Sequence, residues 1–391
     1  MVNRFILNET SYHGAGAINN IAEEVKRRGF SKAFICSDPD LLKFGVTQKV
    51  LKVLEDNNLE YEIYSNIKPN PTIENVQGGV EAYKTSNSDY IIAIGGGSSM
   101  DTAKAIGIII NNPEFNDVRS LEGVAPTKYP SVPIIAVPTT SGTAAEVTIN
   151  YVITDVEKNR KMVCVDPHDI PVVAIIDPEM MESMPKGLTA ATGMDALTHA
   201  VEVCVGRSMT KASKGAAQEA VKLIFENLEK AYTNGSDLEA RKNMLHASYL
   251  AGTAFTKSYV GYVHAVAHTL GGKYGVAHGL ANAILLPHIL RAYGESVYAS
   301  LAELAIIVGL ADKETPIAEA AEIIISHIEQ MNEKMGIPKK LGCIRREDIP
   351  AMAKLADKEA NPLYPVPILF DAMELESLYL LVYDEANDEK I

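Results

Sequence analysis

The stretch Tyr90-Ile91-Ile92-Ala93-Ile94-Gly95-Gly96-Gly97-Ser98-Ser99-Met100-Asp101 decides how the amino-terminal half reads. Its first five residues are a continuous apolar run of strand length, and an Ala-rich helical pattern follows the glycines. A strand apolar on both faces that feeds a helix is the repeating unit of a parallel sheet. Glycines at such a turn let the backbone approach a ligand, and N–H groups at the helix start can hold phosphate oxygens. Gly96, Gly97 and Ser98 are therefore candidate contacts for a dinucleotide pyrophosphate. The dinucleotide fingerprint is incomplete, because Met100 stands where its third glycine belongs, and the Walker lysine-hydroxyl pair is missing. The competing reading is a plain tight turn between strand and helix.

Working outward, Ala33 to Cys36, Ile134 to Val137 and Val172 to Ile176 are further candidate strands, separated by amphipathic helical patterns. Residues 1–184 are thus expected to form an α/β domain with a parallel, Rossmann-like sheet that binds a dinucleotide. After Met184-Pro185-Lys186-Gly187 the pattern becomes long Ala/Leu/Ile-rich segments of helical period. Residues 185–391 are expected to be an all-helical domain carrying metal and substrate.

Two other strand ends carry polar candidates. Pro138-Thr139-Thr140-Ser141-Gly142-Thr143 offers hydroxyls to a phosphate, ribose or nicotinamide amide, or else caps a helix beginning at Ala144-Ala145-Glu146. Asp38 can accept from an adenosine ribose and repel a 2′-phosphate, favouring NAD over NADP, or it can be a turn aspartate before Pro39. It precedes the glycine turn instead of following it by about 20 residues, so the cofactor fold should differ from the standard Rossmann order.

At 391 residues the chain exceeds one comfortable hydrophobic core, which favours two domains. A formal charge of −14 repels nucleic acid and anionic membrane, so neither is an expected partner. The start, MVNRFILNETSYHG, lacks the apolar core and cleavage site of a secretory signal, and no long uncharged apolar stretch appears. A cytoplasmic protein is expected. Cys36, Cys164, Cys204 and Cys343 are widely spaced, which suits buried reduced thiols better than a disulfide framework.

The second half holds a histidine-rich constellation. Asp195 and His199 are four residues apart, on one helical face, where alone they would read as a hydrogen-bonded pair. His264 and His268 share a face in the same way, and His278 follows after Gly271, Gly272 and Gly275. An unbroken helix would hold His264 and His278 about 21 Å apart, too far for one ion, so these glycines are expected to break it. Small residues such as Ala265, Ala267 and Gly279 would then leave room beside the metal. Imidazole and carboxylate donors suit iron(II) or zinc(II). His13, His168, His246, His288 and His327 lack such company and read as surface or core positions.

Taken together, the glycine turn with Asp101, the run Pro138 to Thr143, the run Leu188 to Ala200 and the segment His264 to His278 resemble the iron-containing alcohol dehydrogenase family. The resemblance extends over nearly the whole chain and is strongest to the lactaldehyde reductase, propanediol dehydrogenase and butanol dehydrogenase branch. It implies Asp195, His199, His264 and His278 as ligands of iron(II), with zinc(II) as the alternative, and NAD as cofactor. It also implies His268 beside nicotinamide and substrate as a proton relay. Asp38, Asn70, Gly97, Ser98, Thr139, Thr140, Thr148, Asn150, Lys161 and Leu188 fall at cofactor or pocket positions of that family. The reaction implied is reversible hydride transfer between NAD(H) and a small primary alcohol or diol, in a homodimer or larger homo-oligomer. A lyase of dehydroquinate synthase type would need lysine and arginine around an anionic substrate. The motifs here, with Phe255, Val260, Gly261 and Val263, are apolar and small instead. A non-catalytic metal protein, the other alternative, would have a coordinatively closed site.

Overall fold

The structure is a computed structural model that describes residues 4–385. These form two compact units, one running to Met184 and including Gly235–Gly252, the other comprising Pro185–Asn234 and the chain from Thr253 onward.

The first unit is built on a six-stranded sheet of β1 (Thr10–His13), β2 (Lys32–Ser37), β3 (Glu60–Tyr64), β4 (Tyr90–Gly95), β5 (Ile134–Pro138) and, after a separate hairpin, β8 (Val173–Ile176). All of its pairings are parallel, in the order β1-β8-β5-β4-β2-β3. Helices α1 (Ile21–Arg28), α2 (Pro39–Lys43), α3 (Val46–Asp56), α4 (Ile73–Ser86) and α5 (Gly97–Asn111) connect the strands. Alternate side chains of β4 enter two different cores: Ile91 and Ala93 pack with Met100, Ala103 and Ile106 of α5, while Tyr90, Ile92 and Ile94 pack with Val50 and Leu54 of α3. That double burial is why the strand reads as an unbroken apolar run.

Four strands escaped the sequence reading. β1 and β3 are the sheet edges, and β3 (Glu-Tyr-Glu-Ile-Tyr) buries only Tyr64, so charged residues interrupt its apolar pattern. The antiparallel hairpin β6 (Asn150–Asp155) and β7 (Arg160–Val165) buries one face only, as its alternating pattern shows. Cys36, Cys164 and Cys204 are buried free thiols as expected, but Cys343 is exposed.

The second unit is helical: α6 (Lys186–Val205), α7 (Lys211–Thr233), the end of α8 (Leu238–Ser258), α9 (Tyr262–Tyr274), α10 (His278–Tyr293), α11 (Glu295–Ile307), α12 (Ile317–Lys334), α13 (Ile349–Ala360) and α14 (Ala372–Val382). From Thr192 to Val205 every residue of α6 is buried, because α7 and α10 both pack on it. Helix α9 in turn packs against α10 and α13. No described helix is long and apolar enough to cross a membrane.

Candidate functional site

In the first unit Asp38, Gly96 to Ser98, and Thr139 with Thr140 lie at or just beyond the carboxyl ends of β2, β4 and β5. The chain proceeds from β2 to β3 on one side, then returns past β2 to β4 and continues through β5 to β8 on the other. The β2/β4 pair is therefore the topological switch point, the place where open α/β sheets bind ligands. Ser37 pairs with Ile94, so Asp38 and Gly95 leave neighbouring strands at the same end. This explains why an aspartate can precede the glycine turn in sequence and still stand beside it. Asp38 Oδ1 also accepts from Asp40 N and Leu41 N, both at 3.0 Å, capping α2.

Gly95 has φ of 149°, and a Cβ there would lie 2.4 Å from Ser99 Oγ, which requires glycine. No side chain caps the start of α5. The second polar turn packs on the first, since Thr139 N donates to Gly95 O at 3.0 Å and Thr140 and Thr143 lie against Gly96 and Gly97. Ala144 to Glu146 form a turn, with Ala144 at φ 51°, so Thr139 and Thr140 do not cap a helix there. Lys161 Nζ donates to Asn70 Oδ1 at 2.9 Å, which joins two more candidates.

Thr148 and Asn150 are held by a residue the sequence reading missed. Lys104, three residues after Asp101 on α5 and fully buried, donates Nζ to Thr148 O at 2.5 Å and to Asn150 O at 3.0 Å. Asp169 lies 3.6 Å from the same Nζ. Burial pushes Asp169 up to about 8, and Asp101 and Glu146 each up to about 7. Leu188, the remaining candidate, belongs to the second unit and is exposed in the first turn of α6.

In the second unit Asp195, His199, His264 and His278 come together, with one donor atom of each lying within 4.8 Å of all the others. Two come from α6, one from the first turn of α9, and His278 is the first residue of α10. Asp195 Oδ1 is 3.4 Å from His278 Nε2 and 3.9 Å from His264 Nε2. Four donors each about 2.0–2.2 Å from a central ion would show separations of this order. The break that makes this possible differs from expectation. α9 continues through Gly271 and Gly272, and Gly275 alone, at φ 70°, ends it in the left-handed cap that turns the chain.

The orientation of His264 supports the fit. Glu202, three residues after His199 on α6, accepts from His264 Nδ1 at 2.6 Å and from Val263 N and Gly261 N, each at 2.9 Å. A carboxylate only accepts, so Nδ1 carries the proton and Nε2 presents its lone pair to the other donors. Burial alone would lower the pKa of His264, but the Glu202 carboxylate outweighs it and holds the ring above its ordinary value. His199 is stacked between Phe255, 4.2 Å away, and His264, 4.4 Å away. Three of the donors are nearly wholly buried, whereas the His278 side chain is 22% exposed, so solvent meets the centre from its side.

His268 is not among the donors but stacks on His278 at 5.1 Å. Its Nδ1 donates to Glu359 Oε1 at 2.7 Å, and Tyr364 OH donates to the same oxygen at 2.8 Å. Glu359 lies in the last turn of α13 and carried no local sequence signal, while Tyr364 lies in the run Asn361 to Pro367, whose prolines read from sequence either as a rigid loop near the pocket or as a surface turn. The small residues do not leave the space expected of them. Ala265 and Ala267 are fully packed, and a Cβ on Gly279 would lie 2.2 Å from the Ala191 carbonyl oxygen, so Gly279 lets α10 close onto α6. Gly261 likewise allows Glu202 to approach, since a Cβ there would be 2.8 Å from its Oε1.

Both parts of the chain match known proteins. Residues 8–178 match the family model for iron-containing alcohol dehydrogenase, and residues 189–382 match the model for the C-terminal part of the Fe-containing alcohol dehydrogenase family. Lactaldehyde reductase of Escherichia coli (strain K12) is 48% identical over 358 residues, covering 91% of this chain and 93% of that protein. The NAD-dependent methanol dehydrogenase of Bacillus methanolicus is 39% identical over 356 residues, covering 90% and 92%. The crystal structure of a 1,3-propanediol oxidoreductase superposes with a TM-score of 0.93 at 36% identity, over 98% of this chain and 100% of that one.

Proposed function

The chain belongs to the iron-containing alcohol dehydrogenase family, and we propose that it interconverts small primary alcohols or diols and their aldehydes, using NAD(H) and an iron(II) ion. The observation that carries this reading is the convergence of Asp195, His199, His264 and His278 from three helices. One oxygen and three nitrogen donors suit iron(II), with zinc(II) a chemical competitor. Such an ion supplies a Lewis acid for the substrate oxygen, and nicotinamide supplies the hydride acceptor or donor.

The protein's own residues supply orientation and a proton route. Glu202 fixes the tautomer of His264. Phe255 covers one face of His199 and offers an apolar wall, which suits an uncharged substrate. Because Nδ1 of His268 is committed to Glu359, its Nε2 can take the hydroxyl proton during oxidation and return it during reduction. For the cofactor we assign Asp38 to the adenosine ribose and Gly96, Gly97 and Ser98 to the pyrophosphate. Thr139 and Thr140 take the next position along the dinucleotide, and Asn70, Thr148, Asn150, Lys161 and Leu188 are further contacts. The switch-point position of Asp38 and Gly95 supports this assignment.

The test is NADH formation by anaerobically prepared protein, loaded with Fe(II) or Zn(II), on a panel of C2 to C4 primary alcohols and diols. Turnover that depends on the added ion is expected. Absence of turnover on every substrate with either ion would sink the reading.

A further inference from the structure

We infer that Asn282 is a positioning residue of the metal centre, its side-chain amide fixing the carboxylate that Asp195 offers to the ion. This rests on the four donors being metal ligands, as proposed above. Asn282 lies four residues after His278, so both project from one face of α10. The residue is wholly buried. Its Nδ2 donates to Asp195 Oδ1 at 2.7 Å and stands 3.2 Å from His278 Nε2 and 3.3 Å from His264 Nε2. One amide nitrogen therefore faces three of the four donors, which belong to three different helices.

The shortest contact settles which end of the amide points inward. A carbonyl oxygen would not rest 2.7 Å from a carboxylate oxygen, since both only accept, so the N–H end must face Asp195. At the other end, Oδ1 has no hydrogen-bond partner among the described residues. A buried carbonyl without a partner lowers stability, and an apolar side chain of similar size would suit the packing of α10 better. The amide thus sits where only its N–H end is used, and that end is directed at the donors.

The consequence is chemical as well as geometric. A carboxylate can turn about its bond to Cβ and engage an ion through one oxygen or two. A charge-assisted hydrogen bond to Oδ1 fixes the carboxylate plane and takes one lone pair of the oxygen nearest the imidazoles. Removing partners of this kind from other metal sites weakens metal binding by about 10–100-fold.

Cobalt(II) is the probe, because its visible absorption reports ligand geometry. Full-length parent, Asn282→Ala and Asn282→Leu are compared by competition with a chromophoric chelator, by the visible spectrum at saturating Co(II), and by thermal unfolding in excess chelator. The expected result is an affinity about 10–100-fold lower in the variants, with altered visible bands and no matching loss of unfolding temperature in chelator. Affinity and bands equal to the parent overturn the inference. So does a weaker affinity with unchanged bands that tracks a loss of unfolding temperature, because the amide would then act only through the fold. Alanine removes volume whereas leucine keeps the branched shape without the amide, so whichever folds gives the answer. A parent that takes up no Co(II) condemns the metal-site reading itself, which separates that failure from this one.

Discussion

His264 and His268 stand one turn apart on α9, yet each ring is aimed by a different acid. Glu202 turns one toward the donors, and Glu359 holds the other where it stacks on His278. Loss of the relay proposed for His268 should therefore be separable from loss of the ion. His268→Asn is expected to lower kcat by about 10²–10⁴-fold while the iron content of the purified protein stays at the parental level. A variant with the parental rate would remove His268 from the proton route. Helical spacing put Asp195 with His199 on one face but paired His264 with His268 just as readily, and His278 entered the set through the family resemblance; Glu202 lies three residues beyond His199 on the same helix. Glu359 was not legible, since nothing local in α13 reveals a bond to a histidine 91 residues earlier, and the prolines around Tyr364 marked a loop without revealing its partner.

At the scale of elements, the junction between α9 and α10 decides whether the centre forms. Gly275 reverses the chain, and Gly279 then allows α10 to lie against the backbone of α6. Gly279→Ala is expected to destabilise the protein by about 1–3 kcal/mol through overpacking, read from the midpoint of denaturant unfolding. Unchanged stability would mean that the Ala191 carbonyl can move aside. The same scale shows what sequence patterns reveal of a sheet. β4 and β5 announced themselves because both faces are buried, whereas β3 interleaves charged with apolar residues and the β6–β7 hairpin buries only alternate residues. Glycines were easy to notice and harder to interpret: Gly271 and Gly272 are ordinary helical residues here.

For the whole molecule, the formal charge of −14 counts every carboxyl group as ionised. Burial holds Asp101 and Glu146 at about 7 and Asp169 at about 8, so near neutrality the folded chain keeps protons that the unfolded chain releases. A carboxyl raised in the fold contributes its full stability below its ordinary unfolded value. That contribution declines as pH rises, and for Asp169 it is exhausted above about 8. Asp169→Asn, which resembles the protonated acid in shape, is expected to flatten the fall in unfolding free energy between roughly pH 4 and 8. Denaturant titrations at several pH values measure this, and an undiminished slope would show that Asp169 is ionised throughout. The three-helix origin of the proposed metal donors bears on genetics. Because the ligand set exists only while α6, α9 and α10 keep their places, inactivating substitutions should map to a wide neighbourhood of small and packing side chains. A screen for lost activity would mark out the scaffold before it marked out the chemistry.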